Sequence, residues 1–388
     1  MLKIPDEINN LCDHCLGRIY ANLGHGLTNE ERGKAIRIIY AMNENLSYNE
    51  IKNMDCIICN NIFNNIDKFV SIIINSVKDY EFNTFLLGTR VDFEIESKDK
   101  ELIEKYGKNG ETIKNELSRE IGKRVSEKLG KDVSFENPDI SIIFDTEYEY
   151  AEIIPKPIFI YGRYKKLERG IPQTRWIHEK EGKSVEEYIG EVAVKYFDGS
   201  NYYLHGSGRE DVDVLMLGNG RPFILEISKP KKRNIDLRNI EYEINAKSEN
   251  RIEVFDLRYS NRDEMKRIKE KTGKKIYRLC IELENDLPIE LVKSKLKSLE
   301  GKVIYQRTPL RVLGKRSDIQ REKKVYSIDI ISKNGKILEL EIMADPGTYI
   351  KEFAHGDEGR TRPSISEVLD QKIKIERLDV VKILDSEE

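Results

Sequence analysis

The sequence contains no apolar run near the roughly 20 residues that cross a bilayer as a helix, which excludes a helical membrane protein. Its first residues, MLKIPDEINNLCDHC, hold no apolar core of a signal peptide, so secretion is not expected. Internal repeats and low-complexity tracts are missing. Cysteine is scarce, five in 388 residues, which excludes a disulfide scaffold. The composition fits neither collagen nor a disordered chain. Hydrophobic residues make up 39% and charged residues 35%, enough for ordinary cores under a highly charged surface. The length suits about two or three domains. A soluble, cytoplasmic, multidomain protein is expected.

A net basic charge is also lacking. Sixty-six Lys and Arg face 69 Asp and Glu, for a net −3. Globally this argues against a nucleic-acid binder, but binding follows local fields. Residues 302–324 hold eight basic and two acidic side chains, and residues 229–238 hold five and one. Basic charge is therefore concentrated in the C-terminal half.

Four of the five cysteines form two CxxC pairs, Cys12 with Cys15 and Cys56 with Cys59. In a reducing compartment such pairs more often bind metal than form structural disulfides. Four thiolates suit a closed, tetrahedral, structural zinc site. A helix accounts for the long gap between the pairs. Thr28 and Glu31 have capping-box spacing, and AIRIIYAM follows. His14 and His25 lie nearby, but four thiolates suffice.

Apolar positions between Ile62 and Val77 follow a helical period. Val91, Phe93 and Ile95 alternate as in a strand. Ile113, Leu117, Ile121, Val125 and Leu129 predict a second helix ending at Gly130, and Ile140, Ile142 and Phe144 a further strand. Helices on a sheet make a small α+β domain, and PKP at 155–157 reads as its exit. Further on, Val212 and Val214 are expected to pair with 223–227 around GNGRP. Tyr277, Leu279, Ile281 and Leu283 alternate, 289–299 reads as a helix, and Asn334-Gly335 predicts a hairpin.

The stretch HGSGREDVDVLMLGNGRPFILEISK, 205–229, carries the most chemistry. Asp211 and Asp213 are expected on one face of a strand. Two reactions compete. A nuclease would hold Mg²⁺ on Asp213 and Glu226, although the expected Lys after Glu226 is replaced by Ser228. Alternatively, one carboxylate acts on a glycosidic carbon without a cofactor. That reaction needs a cation beside the Asp and an aromatic platform for the base. GTYIK at 347–351 and KIYR at 275–278 offer Lys351 and Tyr277. A zinc-containing RNA-binding module without catalysis is a third reading.

GRED at 208–211 resembles the GRxD signature of pseudouridine synthases. GTYIK, KxYR, GRYKKLERGIPQTRW at 162–176, GNGRPF at 218–223 and YQRTPLRV at 305–312 accompany it. With the two CxxC pairs, the set resembles the archaeal/eukaryotic tRNA pseudouridine synthase family with an N-terminal zinc element and a THUMP-containing accessory domain. The resemblance implies an α+β fold, with a catalytic domain on a mostly antiparallel mixed sheet. It implies a zinc element at 1–60, a THUMP-like part at 61–160 and the catalytic domain at 161–388. Asp211 would be catalytic, Tyr277 would stack on the base, and Ile350 would pack against Tyr277. Lys351 would pair with Asp211, and Arg209 would hold the flipped nucleotide or its phosphates. The implied reaction is isomerisation of tRNA uridines 54 and 55 in the T-arm, with structural zinc but no catalytic cofactor. Lys315, Arg316, Lys323 and Lys324 are expected on the RNA surface. Neither a membrane nor an obligate protein partner is expected. Other THUMP enzymes carry SAM-binding or ATP-pyrophosphatase domains, for which no glycine fingerprint is present.

Overall fold

The computed structural model describes residues 4–51, 55–106, 110–175, 182–270, 273–314 and 316–384. Trp176 and Lys315 lie outside the described residues. The chain divides into two units, Met1–Lys156 with Lys231–Arg233, and Pro157–Pro230 with Asn234–Glu388. No helix among the described residues is long and apolar enough to cross a membrane.

In the first unit the Thr28 hydroxyl and Glu31 carboxylate form the expected capping box, which starts the helix Asn29–Glu44. The apolar period at 62–77 forms a 3-10 turn, Ile62–Asn65, and the helix Ile66–Val77. That helix and Ile113–Leu129 bury Phe69, Val70, Ile73, Leu117, Ile121 and Val125 in one core with the strands Thr84–Arg90 and Ile140–Asp145. Gly130 ends the second helix in the left-handed region, as expected. The four-stranded sheet has the order 132–133, 84–90, 140–145, 150–155.

The alternation at 91–95 is not a strand. Residues Phe93–Tyr106 form a helix, and the strand is Thr84–Arg90. The Asp92 carboxylate accepts the amides of Glu94 and Ile95, a local bond that starts a helix. Ile95, Asp99 and Leu102 then share the buried face, while Phe93 points to solvent.

In the second unit, ten strands among the described residues form one sheet. Eight of its neighbouring pairs are antiparallel, and Ile373–Ile383 alone runs parallel to its neighbour Leu215–Ser228. Lys275–Leu283 lies centrally, between Ile337–Ala344 and Ile373–Ile383. The expected hairpin forms, with Asn334 ending its first strand opposite Ile337 and Gly335 and Lys336 making the turn. The helix expected at 289–299 covers Ile289–Lys297.

GNGRP does not turn a hairpin. Leu215–Ser228 is one strand that bends through it. Gly218 and Gly220 take positive φ, and a Cβ on Gly218 would stand 1.8 Å from the Val381 carbonyl oxygen. Glycine therefore serves close approach of the neighbouring strand. Val212 and Val214 fall in the preceding loop. So do Asp211 and Asp213, which do not share a strand face.

Candidate active site

The loop 207–214 is held from beneath by a buried polar network. The Glu210 carboxylate accepts from Arg221 Nε at 2.7 Å and from Tyr164 Oη at 3.0 Å. Gln173 Nε2 donates to Tyr164 Oη and to the Gly208 carbonyl. Lys166 Nζ donates to the carbonyls of Ile171, Asp211 and Val212. Burial pushes Lys166 down to about 8. Burial also works against the Arg221 charge, and the field of Glu210 outweighs it. Five side chains from the strands and the loop thus fix the backbone on which Asp211 sits.

Asp211 lies on the wall of a cavity of about 540 Å³. The wall is completed by Lys275 and Tyr277 from one strand, Leu378 and Val380 from its neighbour, Arg311 with Arg316, and Gly347–Lys351. Tyr277 aligns with Val380 on one side and Ile342 on the other, which seats its ring in the sheet. It is 7% exposed, and burial pushes its hydroxyl up to about 12. The phenol is therefore neutral at physiological pH. Ile350 is buried and lines the same cavity.

Lys351 occupies the first turn of the helix Ile350–His355. The buried Gln306 side chain holds the preceding residue from both ends, accepting from Tyr349 N and donating to Tyr349 O. Lys351 Nζ is 3.5 Å from Asp211 Oδ2 but 2.8 Å from Asp213 Oδ2. The expected pairing with Asp211 is therefore shared, with Asp213 the nearer partner. Burial works against the charge of Asp213, but Lys351 outweighs it and holds that carboxyl below the usual range.

The closer cation on Asp211 is one that the motif reading did not single out. Arg311 Nη1 stands 3.2 Å from Asp211 Oδ2, and its Nε donates at 2.7 Å to the buried Glu352. Burial disfavours the Arg311 charge, and Glu352 with Asp211 outweighs that. In the sequence Arg311 is one of the eight basic residues of 302–324, within YQRTPLRV, and no local pattern marks it as a partner of Asp211.

The remaining expected residues separate. Arg209 is exposed on the cavity wall with no side-chain partner among the described residues. Arg316 lines the cavity and donates to Tyr349 Oη. Lys323 donates to the Pro346 carbonyl, and Lys324 lies over the Tyr326 ring. Asp213 and Glu226 do not serve the nuclease reading. Asp213 is engaged by Lys351 and Glu226 by His205. Among the described residues, metal-ligating side chains gather in threes or more only at the cysteines.

There, the sulfurs of Cys12, Cys15, Cys56 and Cys59 lie within 4.8 Å of one another. Cys12 and Cys59 are 3.6 Å apart, close to the roughly 3.8 Å of two thiolates on one tetrahedral zinc. Arg18 Nη1 donates to Cys15 Sγ and its Nε to Asp99. His14 stays outside the cluster, bonded to Glu116 and stacked on Phe63. Four soft donors, three of them buried, fit a metal ion.

The site thus joins a carboxylate between two cations to a neutral phenol in one sheet-lined cavity. The family model described as "Pus10, C-terminal" matches residues 159–384, and that of the archaeal Pus10 THUMP domain matches 69–145. The chain belongs to the Pus10 family. A Picrophilus torridus protein is 44% identical over 96% of this chain and 97% of its own length. One from Pyrococcus furiosus is 42% identical over 98% and 97%. One from Thermoplasma acidophilum is 39% identical over the full length of both. All three carry the name tRNA pseudouridine synthase Pus10. The motif resemblance and the comparisons therefore name the same family.

Proposed function

We propose that this chain isomerises uridine to pseudouridine in tRNA, at the adjacent T-arm uridines 54 and 55. The observation that carries the reading is Asp211 held between Arg311 and Lys351 on the wall of a cavity that also presents Tyr277. The two cations hold the Asp211 carboxylate in place on the cavity wall. A uridine leaving its stack loses a few kcal/mol, and stacking on an aromatic ring such as Tyr277 returns about 1–3 kcal/mol. The C1′–N1 bond opens, the uracil turns, and a C1′–C5 bond forms. The C5 proton leaves and N1 gains one, so no redox partner is required. Asp211 is the catalytic residue, and Ile350 supports the Tyr277 ring. Arg209, Arg316, Lys323 and Lys324, together with Lys315, receive the phosphates. The four cysteines hold a structural zinc that ties Cys12–Cys15 to Cys56–Cys59. The protein works in the cytoplasm on tRNA, without a catalytic cofactor.

The test is tritium release from unmodified tRNA transcript labelled at uracil C5, in EDTA, with wild type and Asp211→Asn. Release by wild type alone, with tRNA length unchanged, is expected. Asp211→Asn should lose product while retaining tRNA affinity. No release by wild type that binds tRNA would favour a binding module. Shortening of the RNA only without EDTA would favour a nuclease. Primer-extension mapping of product elsewhere than 54 and 55 would refute the site assignment.

A further inference from the structure

Lys275 has no place in the reading above. It is 6% exposed, yet it lines the cavity with Tyr277 two residues along the same strand, on the same face. Its ammonium makes no hydrogen bond or ion pair among the described residues. Groups of the same sign surround it. Its Nζ and Arg221 Nη1 both stand 3.1 Å from the point where a Cβ would project from Gly208. Lys323 adds a second positive field, and Glu210, already bound by Arg221, is the one acidic group acting on it among the described residues. Asp211, Lys351, Arg311, Arg209 and Arg316 occupy other parts of the wall. A buried lysine with no counter-charge in contact is costly, so a fold that keeps one at the cavity invites an acceptor from outside.

We propose that Lys275 donates a hydrogen bond to a uracil oxygen and stabilises the negative charge that the base takes up when its glycosidic bond opens. This rests on the pseudouridine reading. When C1′–N1 breaks, the electron pair stays with the uracil and spreads over O2 and O4. Lys275 keeps its proton throughout and meets that charge in a water-poor pocket, where a placed donor acts most strongly. The exposed Arg209 and Arg316 serve the phosphates, which leaves the deep ammonium for the base. Burial and the Arg221 field push Lys275 down to about 7, so the charged, active form declines above neutral pH.

The test is single-turnover pseudouridine formation at saturating enzyme, with tRNA affinity measured alongside, from pH 6 to 9. Wild-type rate should fall as pH rises through about 7. Lys275→Met should lose roughly 10²–10³-fold in rate, bind tRNA normally and show no such fall. Lys275→Arg, charged at every pH used, should recover part of the rate with a flat profile. Wild-type rate and profile in Lys275→Met would overturn the proposal. So would loss of affinity with unchanged rate, which marks a phosphate contact. Loss of rate in both variants with the wild-type pH profile retained would mark a structural role and also overturn it. If wild type itself forms no pseudouridine, it is the underlying reading that fails.

Discussion

The buried Glu210–Arg221 pair gives the sharpest test of how the site is built. Both side chains are essentially inaccessible, and Glu210 also accepts from Tyr164 with Lys166 3.9 Å away. Glu210→Gln preserves shape and can still accept one bond from Arg221. It removes the charge that compensates Arg221, Lys166 and Lys275. Breaking one side of a buried pair costs about 3–5 kcal/mol. The remaining amide contact places this variant near ~3 kcal/mol. For a unit of this size, that lowers Tm by roughly 6–12 °C. Asp211→Asn, two-fifths exposed, should move Tm far less.

Urea and thermal unfolding by circular dichroism on the full chain would measure this. Arg221→Met should destabilise to a similar degree. The double variant should be much less destabilised than the two losses added, because neither charge is then left alone. A Glu210→Gln loss under about 1 kcal/mol, or plain additivity, would refute the claim that the network carries the 207–214 loop.

Three further outcomes follow from the same geometry. Lys275 binds its proton less tightly folded than unfolded, about 7 against 10.5, so its burial penalises folding fully below pH 7 and fades as pH rises toward 10.5. Lys275→Met should therefore stabilise the chain at pH 6 more than at pH 10; an equal effect at both would contradict the assignment. Purified chain should contain zinc in a ratio near one, and Cys56→Ser or chelation should remove it and lower Tm; unchanged zinc in Cys56→Ser would place the metal elsewhere. Changing Lys315, Arg316, Lys323 and Lys324 together to Gln should reduce the log–log salt slope of tRNA binding by roughly 3, whereas an unchanged slope would remove them from the RNA surface.

What was legible in the sequence was whatever local chemistry encodes. The capping box at Thr28 and Glu31, the i+4 ladder of 113–129 and the hairpin marked by Asn334-Gly335 each needed only a few neighbouring residues. Alternation at 91–95 misled because a period of two over five residues is short, and Asp92 biases the same segment toward a helix. GNGRP misled because glycine serves a turn and a close strand approach equally well, and only the position of Val381 distinguishes them. At the site, Asp211, Tyr277, Ile350 and Lys351 do line one cavity. The pairing of charges was not legible, since Arg311 reaches Asp211 from 100 residues further along the chain and is steered by Glu352.

The same contacts resolve the mismatch between the acidic whole and an RNA substrate. Three carboxylates, Asp211, Asp213 and Glu352, share two cations, Lys351 and Arg311. Beneath them, Glu210 is the carboxylate nearest to Lys166, Arg221 and Lys275, and Asp211 and Asp213 act on Lys166 from above. Carboxylates thus outnumber cations in the contacts around Asp211, and cations outnumber carboxylates in those beneath it. A substrate whose sugar becomes electron-poor while its base becomes electron-rich fits that polarity, with the sugar toward Asp211 and the base toward Lys275. Net charge averages this separation away, which is why −3 for the whole chain says little about the cavity. The polarity also fixes a sign. Reversing the floor with Lys275→Glu should slow the reaction more than Lys275→Met does, even at pH 9, where the native lysine has largely lost its proton.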